Sequence, residues 1–291
     1  MKKDNSLKGH LLALFSVFVW GTTFIATKIL LEAFEPVDIL FYRFLIGYLM
    51  LWILHPHTFK TESKKDEFLL FLSGASGVAI YFLCENFALT YTYASNVSIL
   101  VATAPFITGL LAHMFLKEPI KRSFVIGFLL SIVGIVLITT NGSIMLHLNP
   151  LGDLLALGAS ICWAIYSLTT VMVHKPAYSY IAVTRRIFFY GLITMIPAMA
   201  FCGYKFNPDA LLQPTSIGLL LFLGLIASGL CYITWNKSLD ILGAVKSSVY
   251  IYLVPVVTLI FSFFILEEKM TAISLCGCGL ILAGLLLSER K

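Results

Sequence analysis

Charge is what this sequence has least of. Only 12% of its 291 residues are Asp, Glu, Lys or Arg, about half of what an ordinary soluble domain carries. A chain with so little charge cannot cover a water-facing surface, which excludes a soluble globular enzyme. With a mean hydropathy of +0.93, it excludes a disordered chain as well. The net charge of +5 is thin and scattered, so no nucleic-acid partner is expected. No Gly-x-x-x-x-Gly-Lys-Ser/Thr loop occurs, which argues against ATP-driven pumping by this chain. Neither His-Glu-x-x-His nor Gly-x-Ser-x-Gly occurs, and the six histidines are dispersed. No catalytic residue, metal or cofactor is therefore expected. The six cysteines lie in or beside apolar runs and read as packing residues.

What is present is hydrocarbon. Residues of hydrophobic type make up 59% of the chain, in runs long enough to cross a bilayer as helices. The runs cover 10–31, 37–54, 68–90, 94–116, 124–140, 152–173, 181–202, 216–236, 244–266 and 272–287. They lack the strict alternation of barrel strands, so the expected fold is an all-α integral membrane bundle of ten transmembrane helices. Lys2, Lys3 and Lys8 precede an apolar run too long for a signal peptide, and the first run is expected to stay as a helix. With the N-terminus inside, inner loops and tails collect twelve Lys and Arg, against Lys205 and Lys269 outside. That asymmetry predicts two cytoplasmic termini in a bacterial-type inner membrane.

The strongest signal is internal. Shifted by 143 positions, Gly9 to Trp20 falls on Gly152 to Trp163 with six of twelve residues identical, and Arg43 falls on Arg186. Beyond the 203–214 loop a shift of 150 pairs Gly74 with Gly224, Asn86 with Asn236 and Ser98 with Ser248. It also pairs Pro105 with Pro255, Glu118 with Glu268, Gly127 with Gly277 and Gly134 with Gly284. Two five-helix repeats, 1–146 and 147–291, follow. Five is odd, so the second repeat is inverted relative to the first, an arrangement of secondary transporters that bind substrate near the midplane between repeats.

Three motifs make the doubled unit resemble the EamA domain pair of the drug/metabolite transporter superfamily. They are Trp20-Gly21, the stretch Phe41-Tyr-Arg43-Phe44, and Pro105 followed by Leu116-Lys-Glu118-Pro119, echoed by Pro255 and Leu266-Glu-Glu268. The second copy departs at Ala164, after Trp163, and at Lys269. The resemblance implies a ten-helix carrier, in most members an exporter of amino acids or other small metabolites. The expectation is therefore a secondary transporter exporting a small amphipathic metabolite of amino-acid type by alternating access. Its partners would be a small-molecule substrate and the lipid bilayer, and its state a monomer or a homodimer. Metabolite uptake or exchange, with a nucleotide-like substrate, is the alternative. A lipid-modifying membrane enzyme is a further rival, which would need a cluster of acids, histidines or amides that this chain does not offer.

The candidate substrate-binding residues follow from depth and pairing. Trp20 and Trp163 fall near midplane, away from the interfacial belts where membrane tryptophans collect, and each indole needs a partner for its donor. Thr23 and Tyr166 share their faces, with Tyr81, Tyr232 and Tyr250 as further aromatics. Helix-packing bulk is the bland reading of the same residues. Pro105 and Pro255 remove a donor and crowd the carbonyls of Val101 and Ile251, giving paired hinges or, equally, inherited packing kinks. Arg43, Arg186, Lys28 and Glu85 are the intramembrane charges: the paired arginines read as a fold feature ahead of a substrate anchor, and Glu85, the proton-coupling candidate of a small charge network, reads first as a solvated residue of the mouth. Glu118 and Glu268 read as caps of the helices that follow. Asn86 and Asn236 are expected at the mouths, and Trp52 and Trp235 near span ends, where truncation to alanine should be tolerated.

Overall fold

The computed structural model describes residues 2–57, 59–91, 94–140, 149–202, 207–265 and 271–289, and every regular element among them is helical. Ten membrane helices result. The first two are α1 (Lys2–Leu30) and α2 (Pro36–Leu54). Helix α3 runs through Lys64–Gly74, a π segment Ala75–Ile80 and Tyr81–Tyr91. Helix α4 is Ala94–Val101 and Ala104–Leu116, and α5 is Arg122–Thr140. The second five begin with α6 (Pro150–Val173) and α7 (Tyr180–Cys202). Helix α8 joins Pro214–Leu221, a π segment Phe222–Leu230 and Cys231–Leu242. Helix α9 joins Ala244–Ser248, a 3-10 turn Val249–Tyr252 and Leu253–Ile265, and α10 is Ala272–Glu289. Nine of these are long and apolar enough to cross a membrane; the apolar part of α10, Ala272–Ser288, is shorter.

Local chemistry sets the ends. Proline occupies the first turn of α2, α6 and α8, where its missing N–H costs nothing. The Asn149 side chain accepts from the N–H groups of Leu151 and Gly152, both at 3.1 Å, and caps α6. Gly243, at φ +85°, is the single residue between α8 and α9. That backbone excludes most side chains, and it lets the two helices follow one another without a loop.

The duplication is visible in the irregularities. The two π segments occupy equivalent places under the 150-residue shift, and both helices bearing Pro105 and Pro255 lose regular α geometry just before the proline. Glu118, expected to cap α5, instead sits with its carboxylate facing Gly243, four residues before α5 begins. Glu268 lies outside the described residues.

The repeats are interlocked rather than side by side. Helix α1 packs on α8 and α9 of the other repeat, and α6 reciprocally on α3 and α4. Helix α2 meets α7 and α8, and α3 meets α7. The closest seam joins α5 to α10 through small residues: a Cβ on Gly134 would lie 2.5 Å from the Gly277 carbonyl, and one on Gly277 would lie 2.6 Å from that of Gly134. Small residues allow such backbone approach, and packing is what joins helices in lipid. Gly134→Val is accordingly expected to lose most folded protein on size-exclusion analysis in mild detergent, since overpacking costs about 1–3 kcal/mol or more. A monodisperse Gly134→Val at wild-type yield would contradict the seam.

One boundary needs correction. The eighth apolar run stops at 236 because Asn236, Lys237, Ser238 and Asp240 follow, yet α8 continues to Leu242. Those polar residues find partners: Tyr180 donates to Asp240 at 2.7 Å, and the Lys237 ammonium lies 5.4 Å from the Tyr180 ring centroid.

Candidate functional site

The centre of the bundle is an aromatic cluster shared by both repeats. Trp20 of α1 meets Trp163 of α6 edge to face, with centroids 5.5 Å apart. Around them stand Trp235 at 5.1 Å from Trp20, Tyr81 at 5.3 Å and Tyr166 at 5.2 Å from Trp163. Tyr232 lies between Trp20, Tyr166, Phe44 and Phe188. The two indoles are in direct edge-to-face contact.

The two equivalent indoles are wired differently. The Trp20 N–H donates to the carbonyl of Ala227 at 2.9 Å, within the π segment of α8. π geometry is often found at functional sites, and this one presents a carbonyl to the other repeat. Trp163 would by symmetry reach Gly77 in the π segment of α3. That carbonyl instead accepts from the Tyr232 hydroxyl at 3.0 Å, and a Cβ on Gly77 would lie 2.4 Å from the Tyr166 ring. The Trp163 indole N–H is buried without a partner among the described residues, and so is that of Trp235. A buried donor left unpaired costs about 1–3 kcal/mol, so an acceptor brought to it would be held.

Sequence expectations are met unevenly. Tyr166 donates to Asn236 Oδ1, and Asn236 donates on to Thr184 at 3.0 Å. Asn236, expected at a mouth, is therefore buried in the core. Trp235, expected near a span end and tolerant of truncation, is fully buried against both central indoles, because α8 extends past it. Thr23 turns its hydroxyl back to the Trp20 carbonyl at 2.7 Å. The Tyr250 hydroxyl lies 2.6 Å from His10 Nδ1, between α9 and α1.

Of the charges, Arg43 is buried and donates from Nε to Ser228 at 2.9 Å, again on the α8 π segment. Its guanidinium lies 5.2 Å from the rings of Phe44 and Phe82, and Tyr81 donates to Glu85 at 3.3 Å. The Lys28 side chain lies outside the described residues. Pro105 leaves the Val101 carbonyl without its helical donor, and Ser160 of α6 donates to it at 3.2 Å and to the Leu100 carbonyl at 2.7 Å, the usual remedy for a broken membrane helix. No group of three or more His, Cys, Asp or Glu side chains is arranged to hold a metal ion among the described residues.

A second constellation, absent from the sequence reading, closes the face that carries the N-terminus. Lys175, in the loop between α6 and α7, pairs with Glu62 at 2.8 Å and Asp66 at 2.7 Å. Those hydrogen bonds, to Asp66 first and then Glu62, hold its ammonium above the ordinary lysine range. Tyr178 donates to Asp66 at 2.8 Å and accepts from the Glu62 N–H at 2.7 Å. Arg186 pairs with Glu67 at 3.2 Å and donates to the Phe59 carbonyl at 3.0 Å, and Tyr190 donates to Glu67. This latch ties the 55–67 stretch of one repeat to 174–190 of the other. Its counterparts at the opposite face are Glu32, Glu35, Arg43 and Gly47 against Ser216 and Ile217, which cannot reproduce it.

Comparison with known proteins fits this architecture. Residues 7–140 and again 150–290 match the EamA-like transporter family. An uncharacterized transporter of Archaeoglobus fulgidus is 31% identical over 289 residues, with 98% of each chain covered. A protein of Streptantibioticus cattleyicolor named a probable terminal-alkyne amino-acid exporter is 26% identical over 283 residues, covering 95% of this chain and 91% of its own. A solved crystal structure at 18% identity shares the fold, with a TM-score of 0.76 and coverage of 97% and 96%.

Proposed function

The chain belongs to the EamA-like transporter family, and from that premise we propose a secondary carrier that exports a small amphipathic metabolite of amino-acid type. Its relatives are transporters, so its work is movement rather than catalysis. One observation supports the site most: the buried indole N–H of Trp163, without a partner among the described residues, at the junction of the inverted repeats. An acceptor on the substrate, such as a carboxylate, satisfies that donor, and the surrounding rings give apolar contact and cation–π attraction to an ammonium. The amino-acid class is supported by the name of one relative at 26% identity. The Lys and Arg asymmetry favours cytoplasmic termini, which makes the latched face the inner one and leaves the resting carrier closed to the cytoplasm. Pro105 and Pro255 act in this scheme as paired hinges in α4 and α9.

Purified protein in liposomes, loaded with a labelled panel of amino acids, nucleotides and sugars, tests the proposal with and without an imposed pH gradient. Amino-acid flux above that of empty liposomes is expected, and flux of nucleotides alone would replace it with the exchange reading. Glu85→Gln is expected to abolish gradient-driven flux while sparing exchange. Unchanged gradient-driven flux in that variant removes Glu85 from coupling.

A further inference from the structure

A groove of about 270 Å³ opens between α2 and α7, one helix from each repeat, lined by Tyr48, Trp52, Phe59, Arg185, Arg186 and Phe189. Apart from Phe59, in the stretch that follows α2, the residues belong to the last turns of α2 and the first turns of α7, which is headgroup depth for a spanning helix. Arg186 has a carboxylate in Glu67. Arg185 has none among the described residues: it is only 5% exposed, donates to the carbonyls of His55 and His57, and stacks 4.0 Å over the Trp52 ring. Two of its five guanidinium donors are so engaged, and the charge itself is uncompensated. A buried cation without a counter-ion is costly, and basic pockets between helices at headgroup depth are suited to anionic lipid.

We propose that this groove is a site for one anionic phospholipid, its phosphodiester held by Arg185 and Arg186 and an acyl chain laid along Trp52 and Phe189. The aromatic rings supply the interfacial, half-apolar wall that such a chain needs. The bound lipid would bridge the repeats beside the latch.

Native mass spectrometry of the purified protein tests this with phosphatidylglycerol, phosphatidylcholine, diacylglycerol and inorganic phosphate offered separately. One phosphatidylglycerol is expected to survive activation that strips phosphatidylcholine and diacylglycerol, with a preference of about fivefold or more, as one uncompensated cation would give. Equal retention of phosphatidylglycerol and phosphatidylcholine overturns the proposal in the wild-type protein alone. Retention of inorganic phosphate at the same level shows an anion site without lipid specificity and overturns it too. Arg185→Gln is expected to lose the preference. Should that variant fail to fold, Phe189→Glu keeps every arginine contact and sets a carboxylate in the groove. A folded variant of either kind that still prefers phosphatidylglycerol places the lipid elsewhere.

Discussion

Trp163→Phe is expected to cut transport per folded molecule at least about tenfold while leaving thermal stability at or slightly above that of the wild type. The two halves of that expectation have separate causes. Phenylalanine keeps a ring against Trp20, Tyr81 and Tyr166, and the small cavity left by the missing part of the indole costs about 1 kcal/mol. It also removes a buried N–H that has no partner among the described residues, and deleting an unsatisfied donor offsets that loss. On the proposed site, flux suffers because the donor offered to the substrate is gone: a charge-assisted hydrogen bond is worth about 1.5–3 kcal/mol, and 1.4 kcal/mol is one decade. Trp20→Phe makes the converse forecast. Its N–H is already committed to the Ala227 carbonyl, so the loss leaves a buried carbonyl bare and costs about 1–3 kcal/mol of stability. Paired measurements of specific flux and melting temperature on both variants decide the matter. Wild-type flux per folded Trp163→Phe molecule would show that the indole is packing alone.

Asp66→Asn should have the second large effect, at the latch. Asp66 is buried and receives Lys175 and Tyr178 together. Breaking a buried ion pair costs about 3–5 kcal/mol, but Lys175 is a third exposed and keeps Glu62, so screening reduces the loss to about 1–3 kcal/mol. That suffices to repopulate a conformer open at this face, since 1.4 kcal/mol moves an equilibrium tenfold. Ser73 lies beneath the latch, fully buried and 2.7 Å from Thr169 of the other repeat. In a background free of other cysteines, Ser73→Cys is expected to resist a polar maleimide added from the latched side. With Asp66→Asn it should react at least about tenfold faster. Equal reaction rates in the two backgrounds would mean that the network does not gate access.

Legibility in the sequence followed symmetry. Whatever the duplication preserved could be read by laying one half on the other: the helix count, the paired prolines, the glycine seam, Trp20 over Trp163. The same comparison is blind where the halves differ. Lys175, Tyr178 and Tyr190 align with Glu32, Glu35 and Gly47, so a repeat-based reading passes over the latch. Hydropathy failed in a related way at α8. A window that penalises Asn236, Lys237 and Asp240 ends the span early, because it has no means of knowing that Thr184 and Tyr180 will meet them. The mouth position assigned to Asn236 and the tolerance assigned to Trp235 both descend from that one misplaced end. The different wiring of the two indoles was equally hidden, since it depends on Tyr232 reaching Gly77 across the molecule.

The interlocking of the repeats bears on how the chain is made. Helices enter a membrane in order of synthesis, and α5 is threaded well before the α10 that it packs against. In the interval its Gly127, Ser131 and Gly134 stripe has no close-fitting neighbour, and neither does the face of α3 that awaits α6 and α7. The first five helices are thus a complete copy of the ancestral unit in sequence but an unfinished one in packing. Assembly becomes cooperative only near the end of translation, and a chain arrested before α10 offers membrane proteases a bundle held open along its tightest seam.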